Sequence, residues 1–135
     1  MTTLIICALI AVLIPYLAKA PVAFAQNKLA GYDNKHPREQ QAKLTGFGAR
    51  ALAAHQNSFE SLIIFAVALA VVIGSNNVYQ VTETLAIVHV IARVLYCIFY
   101  YINQDILRSL VWLVGYDCSL SLAKSKYSKT TKQAA

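Results

Sequence analysis

The chain has 135 residues, of which 58% are hydrophobic and 13% are charged. A soluble domain carries roughly 45–50% apolar and about 25% charged residues, and a small domain has too much surface to hide such an excess from water. This composition excludes a soluble globular protein and a disordered chain, and it indicates that lipid is the solvent. The net charge of +6 does not indicate a nucleic-acid partner, because the basic residues flank apolar runs.

Four apolar stretches follow one another along the chain, and a spanning helix needs roughly 20 such residues. Short polar connections between the later stretches predict an antiparallel, up-down arrangement. We therefore expect an all-α, integral membrane four-helix bundle that forms one domain over residues 1–123. A basic polar tail at 124–135 follows it. The membrane spans are expected at about 3–25, 48–74, 82–102 and 106–123.

The first apolar stretch has two possible interpretations. Ala23-Phe24-Ala25 resembles a signal-peptidase site after an apolar core, but the residues before that core include no basic side chain. We expect the segment to be retained as the first span. Pro15 and Pro21 should kink or end its helix, which a membrane tolerates where a neighbouring helix covers the freed carbonyls.

Basic residues predict the orientation of the spans. With four spans, the first and third connections lie on one side of the membrane, and the second connection and the tail on the other. Six basic residues against four place the 26–46 loop in the cytoplasm. The six are Lys28, Lys35, Arg38, Lys43, Arg50 and Arg108; the four are Lys124, Lys126, Lys129 and Lys132.

Cysteines and sequence motifs offer no metal or redox chemistry. Cys7, Cys97 and Cys118 lie in apolar runs and form no CxxC pair, so neither a disulfide framework nor a metal site is expected. No HExxH and no glycine-rich phosphate loop occurs in the chain.

Polar residues inside the spans are costly, so they indicate function by default. Helical spacing places Arg50, Asn57 and Glu60 on one face of the second span. In the third span, one stripe carries His89, Arg93, Tyr96 and Tyr100. The two stripes are expected to face each other or to face across a subunit interface. An ion pair between Glu60 and Arg93 would explain these two residues, whereas a site for a small polar ligand would also explain the others.

A resemblance to a known family rests on these residues. His36-Pro37-Arg38-Glu39, Leu44-Thr45-Gly46 and the run from Ala54 to Glu60 resemble the bacterial branch of the MAPEG family, the membrane-associated proteins of eicosanoid and glutathione metabolism. The second-helix motif, Ala-His-x-Asn-x-x-Glu, reads Ala54-His55-Gln56-Asn57-Ser58-Phe59-Glu60 here. Arg93-Val94, Tyr100 and Arg108-Ser109 also fall where the family has an Arg-Val, a Tyr and an Arg-Ser.

The resemblance implies a homotrimer in a bacterial inner membrane that binds glutathione between neighbouring subunits. It implies glutathione transferase or peroxidase activity on apolar electrophiles or lipid hydroperoxides that arrive from the bilayer. Arg108 and Ser109 would then be the catalytic residues, and Arg108 would stabilise the glutathione thiolate. The residues that would bind glutathione are Arg50, Asn57, Glu60, Arg93, Tyr96 and Tyr100.

Two positions depart from the family pattern. Glutathione-using members carry further arginines in the second-helix motif, where this chain has Ala53 and Gln56. A non-enzymatic membrane scaffold or lipid-binding subunit that has lost glutathione binding is therefore the alternative, and the sequence leaves open whether the protein is an enzyme. A transporter is a third option, but four spans are few for one and no inverted repeat is visible.

Overall fold

The computed structural model describes residues 1–125, and these form six helices without strands in that range. The helices are α1 (Thr2–Leu17), α2 (Lys19–Ala30), α3 (Pro37–Ala42), α4 (Gly46–Gly74), α5 (Gln80–Tyr101) and α6 (Asp105–Lys124). The predicted tail from residue 124 lies almost wholly outside the described residues.

Four helical segments are long and apolar enough to cross a membrane: Thr2–Ala30, Gly46–Gly74, Gln80–Tyr101 and Asp105–Lys124. This confirms the prediction of an all-α protein with four spanning helices. Large apolar side chains remain exposed along the segments, as expected where lipid or another subunit covers them. Among the most exposed are Leu9, Leu17, Ile63, Val67, Val81 and Ile106.

The first span is broken at Ala18, between α1 and α2. Pro15 lies in the last turn of α1, and a proline inside a helix removes one hydrogen bond and crowds the preceding turn. Pro21 lies in the first turn of α2, where its missing N–H costs nothing. The break follows the first proline by one turn, and Ala18 itself keeps right-handed helical dihedrals (φ −65°, ψ −14°).

A side chain of α4 covers the carbonyl that this break exposes. His55 Nδ1 lies 2.8 Å from the main-chain oxygen of Pro15, and because a carbonyl only accepts, the ring nitrogen donates. The histidine of the second-helix motif thus provides a hydrogen-bond donor to a carbonyl next to the break.

The later spans pack as neighbours along the chain. Between α4 and α5, Ser58 pairs with Cys97 and Ser61 pairs with His89. The residue number in these pairs rises along α4 while it falls along α5, so the two helices are antiparallel. An up-down order for all four spans stays a prediction.

A glutamine cluster holds the long connection after α2. The Gln26 side chain is fully buried and its amide donates to the main-chain oxygen of Pro37 at 3.0 Å and to Gln40 Oε1 at 3.1 Å. Gln40 in turn donates to the main-chain oxygen of Gly31 at 2.7 Å. These bonds dock α3 against the end of α2 and fix the loop beside α4.

Candidate functional site

A small cavity of about 60 Å³ lies between α4, α5 and α6. It has room for a few water molecules or the end of a polar ligand. Four of the polar residues that helical spacing grouped into stripes line this cavity. Asn57 and Glu60 come from α4, and His89 and Arg93 come from α5. The lining residues are Asn57, Glu60, Ser61, Ile64, His89, Arg93, Trp112, Tyr116 and Ser119.

Arg93 is the buried cation of this cavity, with only 4% of its surface exposed. One terminal nitrogen donates to the main-chain oxygen of Asn57 at 3.0 Å, and the guanidinium lies over the Tyr96 ring at 4.2 Å from its centroid. Its Nε is buried and has no hydrogen-bond partner in residues 1–125. Arg93 is thus held by a carbonyl and a ring and retains an unused donor.

The expected ion pair between Glu60 and Arg93 does not form. No ion pair within 4.0 Å joins them in the described part of the chain, and Glu60 is exposed although it lines the same cavity. The helical wheel placed both residues on facing stripes correctly, but Arg93 reaches the α4 backbone at Asn57 instead. Within residues 1–125 the exposed Glu60 carboxylate thus forms no ion pair at the edge of the cavity.

His89 forms the other polar part of the cavity wall. Its Nδ1 lies 2.9 Å from the Gly115 carbonyl, which can only accept, so Nδ1 carries the proton and Nε2 can accept from the Ser61 hydroxyl at 3.4 Å. Ser119 Oγ lies 3.0 Å from Nδ1. The ring stacks on Phe65 at 4.0 Å with an interplanar angle of 4°. Ring stacking and hydrogen bonds together fix its position.

A ladder of rings connects Arg93 to the end of the bundle. Tyr96 meets Tyr100 edge-on at 5.2 Å, and Arg108 lies over the Tyr100 ring at 4.3 Å. Each such cation–ring contact contributes about 0.5–2 kcal/mol. Tyr96 is only 4% exposed, so it serves as a platform between the cations, whereas Tyr100 is half-buried at the edge.

Arg108 and Ser109 line a separate, open groove of about 670 Å³ on the outer side of α6. Within residues 1–125 Arg108 forms no ion pair within 4.0 Å, although Asp105 lines the same groove. Ser109 is exposed, and its hydroxyl donates to the Asp105 carbonyl at 3.0 Å. Trp112 lines both this groove and the small cavity.

Arg50 is the one predicted residue that the structure places apart. It is half-buried on α4, two turns before Asn57, and lines neither the cavity nor the groove. Its Nε is buried without a hydrogen-bond partner in the described residues. Among the predicted residues, therefore, Asn57, Glu60 and Arg93 meet in the cavity, and Tyr100, Arg108 and Ser109 meet near the groove.

A comparison with family models shows which family the chain belongs to. The model of the MAPEG family matches residues 3–125. The chain belongs to the MAPEG family. That family includes glutathione transferases and peroxidases together with other members. Comparisons with curated proteins and with solved structures gave no significant match.

The MAPEG resemblance did not point to the α6 side of the cavity. Trp112, Tyr116 and Ser119 recur every three or four residues and so share one helix face. That spacing was a visible signal, but tryptophan and tyrosine in a membrane span suggest lipid contact more readily than a site.

Proposed function

We propose that this MAPEG protein is a membrane-bound glutathione transferase or peroxidase. It holds glutathione between neighbouring subunits of a homotrimer, in a bacterial inner membrane with the 26–46 loop in the cytoplasm. Its second substrate is an apolar electrophile or a lipid hydroperoxide that enters from the bilayer. Arg108 and Ser109 are the catalytic residues.

The observation that carries this proposal is the position of the Arg108 side chain and its lack of an ion pair in residues 1–125. Its guanidinium is fixed over Tyr100 at 4.3 Å and faces an open groove. A nearby cation favours a thiolate over a thiol. An oriented charge of this kind stabilises an anion without reorganising during the reaction.

The remaining polar groups suit the peptide part of glutathione. The exposed Glu60 carboxylate can accept hydrogen bonds from an ammonium group, and the unused Nε donor of Arg93 fits a carboxylate. Asn57 Nδ2 donates to the Ala53 carbonyl at 3.1 Å, which holds the amide and leaves its oxygen as an acceptor. The ligand is therefore bound by charge at several points.

A neighbouring subunit completes the site in this proposal. The groove at Arg108 is open, and apolar side chains exposed beside it would be covered by another copy of the chain. These are Ile106, Leu110 and Leu113. A ligand lying in the groove would then be enclosed between two subunits, with water excluded from the thiolate.

The chemistry follows from the thiolate. Its sulfur attacks the ring carbon of a chloronitrobenzene, a C–S bond forms, and chloride leaves with the electron pair of the broken C–Cl bond. The thiol proton passes to solvent when the thiolate forms. Arg108 stabilises the sulfur anion before attack, and the Ser109 hydroxyl can donate a hydrogen bond to it by turning away from the Asp105 carbonyl.

Conjugation of glutathione to 1-chloro-2,4-dinitrobenzene by the purified protein tests the proposal. We expect activity above the uncatalysed rate and a fall of about tenfold to a hundredfold for Arg108→Ala, the loss expected for one charge-assisted contact. Lys43→Ala removes a cation from the exposed end of α3 and should leave activity unchanged. Equal background rates for wild type and Arg108→Ala would refute the proposal.

A scaffold or lipid-binding subunit without glutathione is the second candidate, and one observation favours it. The motif position occupied by Gln56 faces a different cavity from the one at Arg93, and Ala53 supplies no charge. Trp112 is the single tryptophan and lines both parts of the proposed site. Saturable quenching or enhancement of its fluorescence by glutathione supports the enzyme, whereas an unchanged spectrum supports the scaffold.

A further inference from the structure

A second polar cavity, of about 450 Å³, lies on another face of α4. It is a half-open pocket bordered by α2, α3 and α4, and none of its lining residues lines the cavity at Arg93. Its walls combine cations, amides and aromatic rings. They are formed by Lys19, Tyr32, Pro37, Arg38, Gln41, Leu52, His55, Gln56 and Phe59.

The charge in this cavity is positive and is not neutralised. Lys19 comes from α2 and Arg38 from α3, and neither forms an ion pair within the described residues. No carboxylate of residues 1–125 lines the cavity, while Gln41 and Gln56 add amide donors. Two like charges that face one space repel each other unless an anion lies between them. The lining therefore fits an anionic group that accepts several hydrogen bonds, such as a phosphate.

The depth of the cavity places it among lipid headgroups. His55 precedes Gly74, the last residue of α4, by 19 residues, which is about 28 Å along a helix. The hydrocarbon core of a bilayer is about 30 Å thick. With Gly74 at one face of the hydrocarbon, His55 lies at the other. Its bond to Pro15 brings the start of α2, and so Lys19, to the same level.

An apolar track leads from the cavity toward the bilayer centre. Phe59 forms its wall and meets Tyr16 edge-on at 5.7 Å. Ile63 and Val67 follow Phe59 at four-residue spacing and are 65% and 60% exposed. An acyl chain attached to a phosphate in the cavity would lie along this face of α4.

We propose that this cavity binds the phosphate group of an anionic phospholipid, held by Lys19 and Arg38, with one acyl chain along Phe59, Ile63 and Val67. Basic pockets between spanning helices on the cytoplasmic side are suited to anionic headgroups. The site does not depend on glutathione chemistry. It would anchor α3 and the long connection to the membrane surface.

The test uses the full chain purified in a neutral detergent and titrated with phosphatidylglycerol, phosphatidylcholine or inorganic phosphate. Retained lipid is counted by native mass spectrometry, and the melting temperature is followed in parallel. We expect phosphatidylglycerol to be retained and to stabilise the protein by mass action. Lys19→Gln with Arg38→Gln should weaken its apparent affinity about tenfold or more.

Two further variants keep the test decisive. Lys35→Gln with Lys43→Gln removes the same charge from the same side of the chain but outside the cavity, and should retain phosphatidylglycerol as wild type does. Arg38→Gln alone changes an exposed residue of a short helix, so it is expected to fold and to show a partial loss.

Three results would overturn the proposal. Equal loss in both double variants would show that general surface charge attracts the lipid. Equal retention of phosphatidylglycerol and phosphatidylcholine would show that the cavity does not select an anion. Full stabilisation by inorganic phosphate, with nothing added by the lipid, would show a site for the free ion instead.

Discussion

The bond between His55 and the Pro15 carbonyl makes a quantitative prediction about the helix break. His55→Leu keeps a side chain of similar size but removes the donor that lies 2.8 Å from the carbonyl oxygen. Pro15 is buried, so water cannot replace the donor. A buried acceptor left unpaired costs about 1–3 kcal/mol.

A second contact adds to that cost. The His55 ring meets Phe59 edge-on at 5.3 Å, and such a pair contributes about 0.5–1.5 kcal/mol. We expect His55→Leu to lower the free energy of unfolding by about 2–4 kcal/mol. For a chain of this length that corresponds to a fall in melting temperature of roughly 10 °C.

Thermal unfolding in detergent micelles measures this effect. His55→Asn places an amide donor near the position of Nδ1 and should recover about half of the loss. His36→Leu is the matched control, because His36 lies exposed in the loop and its loss should change the melting temperature little. The reasoning fails if His55→Leu melts with wild type, or if His55→Asn is no more stable than His55→Leu.

Three further predictions concern packing, the cavity wall and the loop. Gly48→Ala should lower the melting temperature, because its Cβ would lie 3.0 Å from Leu44 Cδ2 and 3.1 Å from Ala25 Cβ, whereas Gly115→Ala meets its closest neighbour at 3.5 Å and should be tolerated. The cost of such overpacking is about 1–3 kcal/mol. His89→Phe keeps the stack on Phe65 but loses the Nδ1 donor, so a destabilisation of about 1–2 kcal/mol should appear in the same melting assay. Asp33 accepts hydrogen bonds from the backbone N–H groups of His36 and Lys35, which hold the pKa of its carboxyl below the usual 3.8. The ionised carboxylate therefore stabilises the loop at pH values above 3.8. This stabilisation is lost as the pH falls through the lowered pKa. The gap in melting temperature between wild type and Asp33→Ala should accordingly be present at neutral pH and close under strongly acidic conditions.

The spans were predictable because hydrophobicity and length decide them without reference to packing. Residues such as Leu9 and Ile63 are exposed on helices long enough to cross a membrane, where a lipid solvent requires apolar side chains. The break at Ala18 was predictable only as a kink near Pro15 or Pro21. The partner that stabilises it, His55, required the packed structure, since nothing in the sequence relates residues 40 positions apart.

The sequence predicted which polar residues share a helix face, but it did not predict which side chains contact each other across helices. Helical spacing correctly grouped Asn57 with Glu60, and His89 with Arg93, because residues on one helix keep fixed relative angles. It could not give the rotation of α5 against α4, which decides that Arg93 bonds the Asn57 backbone and not Glu60. That Trp112, Tyr116 and Ser119 of α6 line the cavity likewise depends on how α6 is rotated against α4 and α5.

The central claim is that Arg108 stabilises a glutathione thiolate, and ultraviolet difference spectroscopy measures that anion directly. Glutathione added to the wild-type protein near neutral pH should produce thiolate absorbance that saturates with ligand, and Arg108→Ala should produce little or none. Saturable absorbance of equal size in both proteins, or none in the wild type, would contradict the claim.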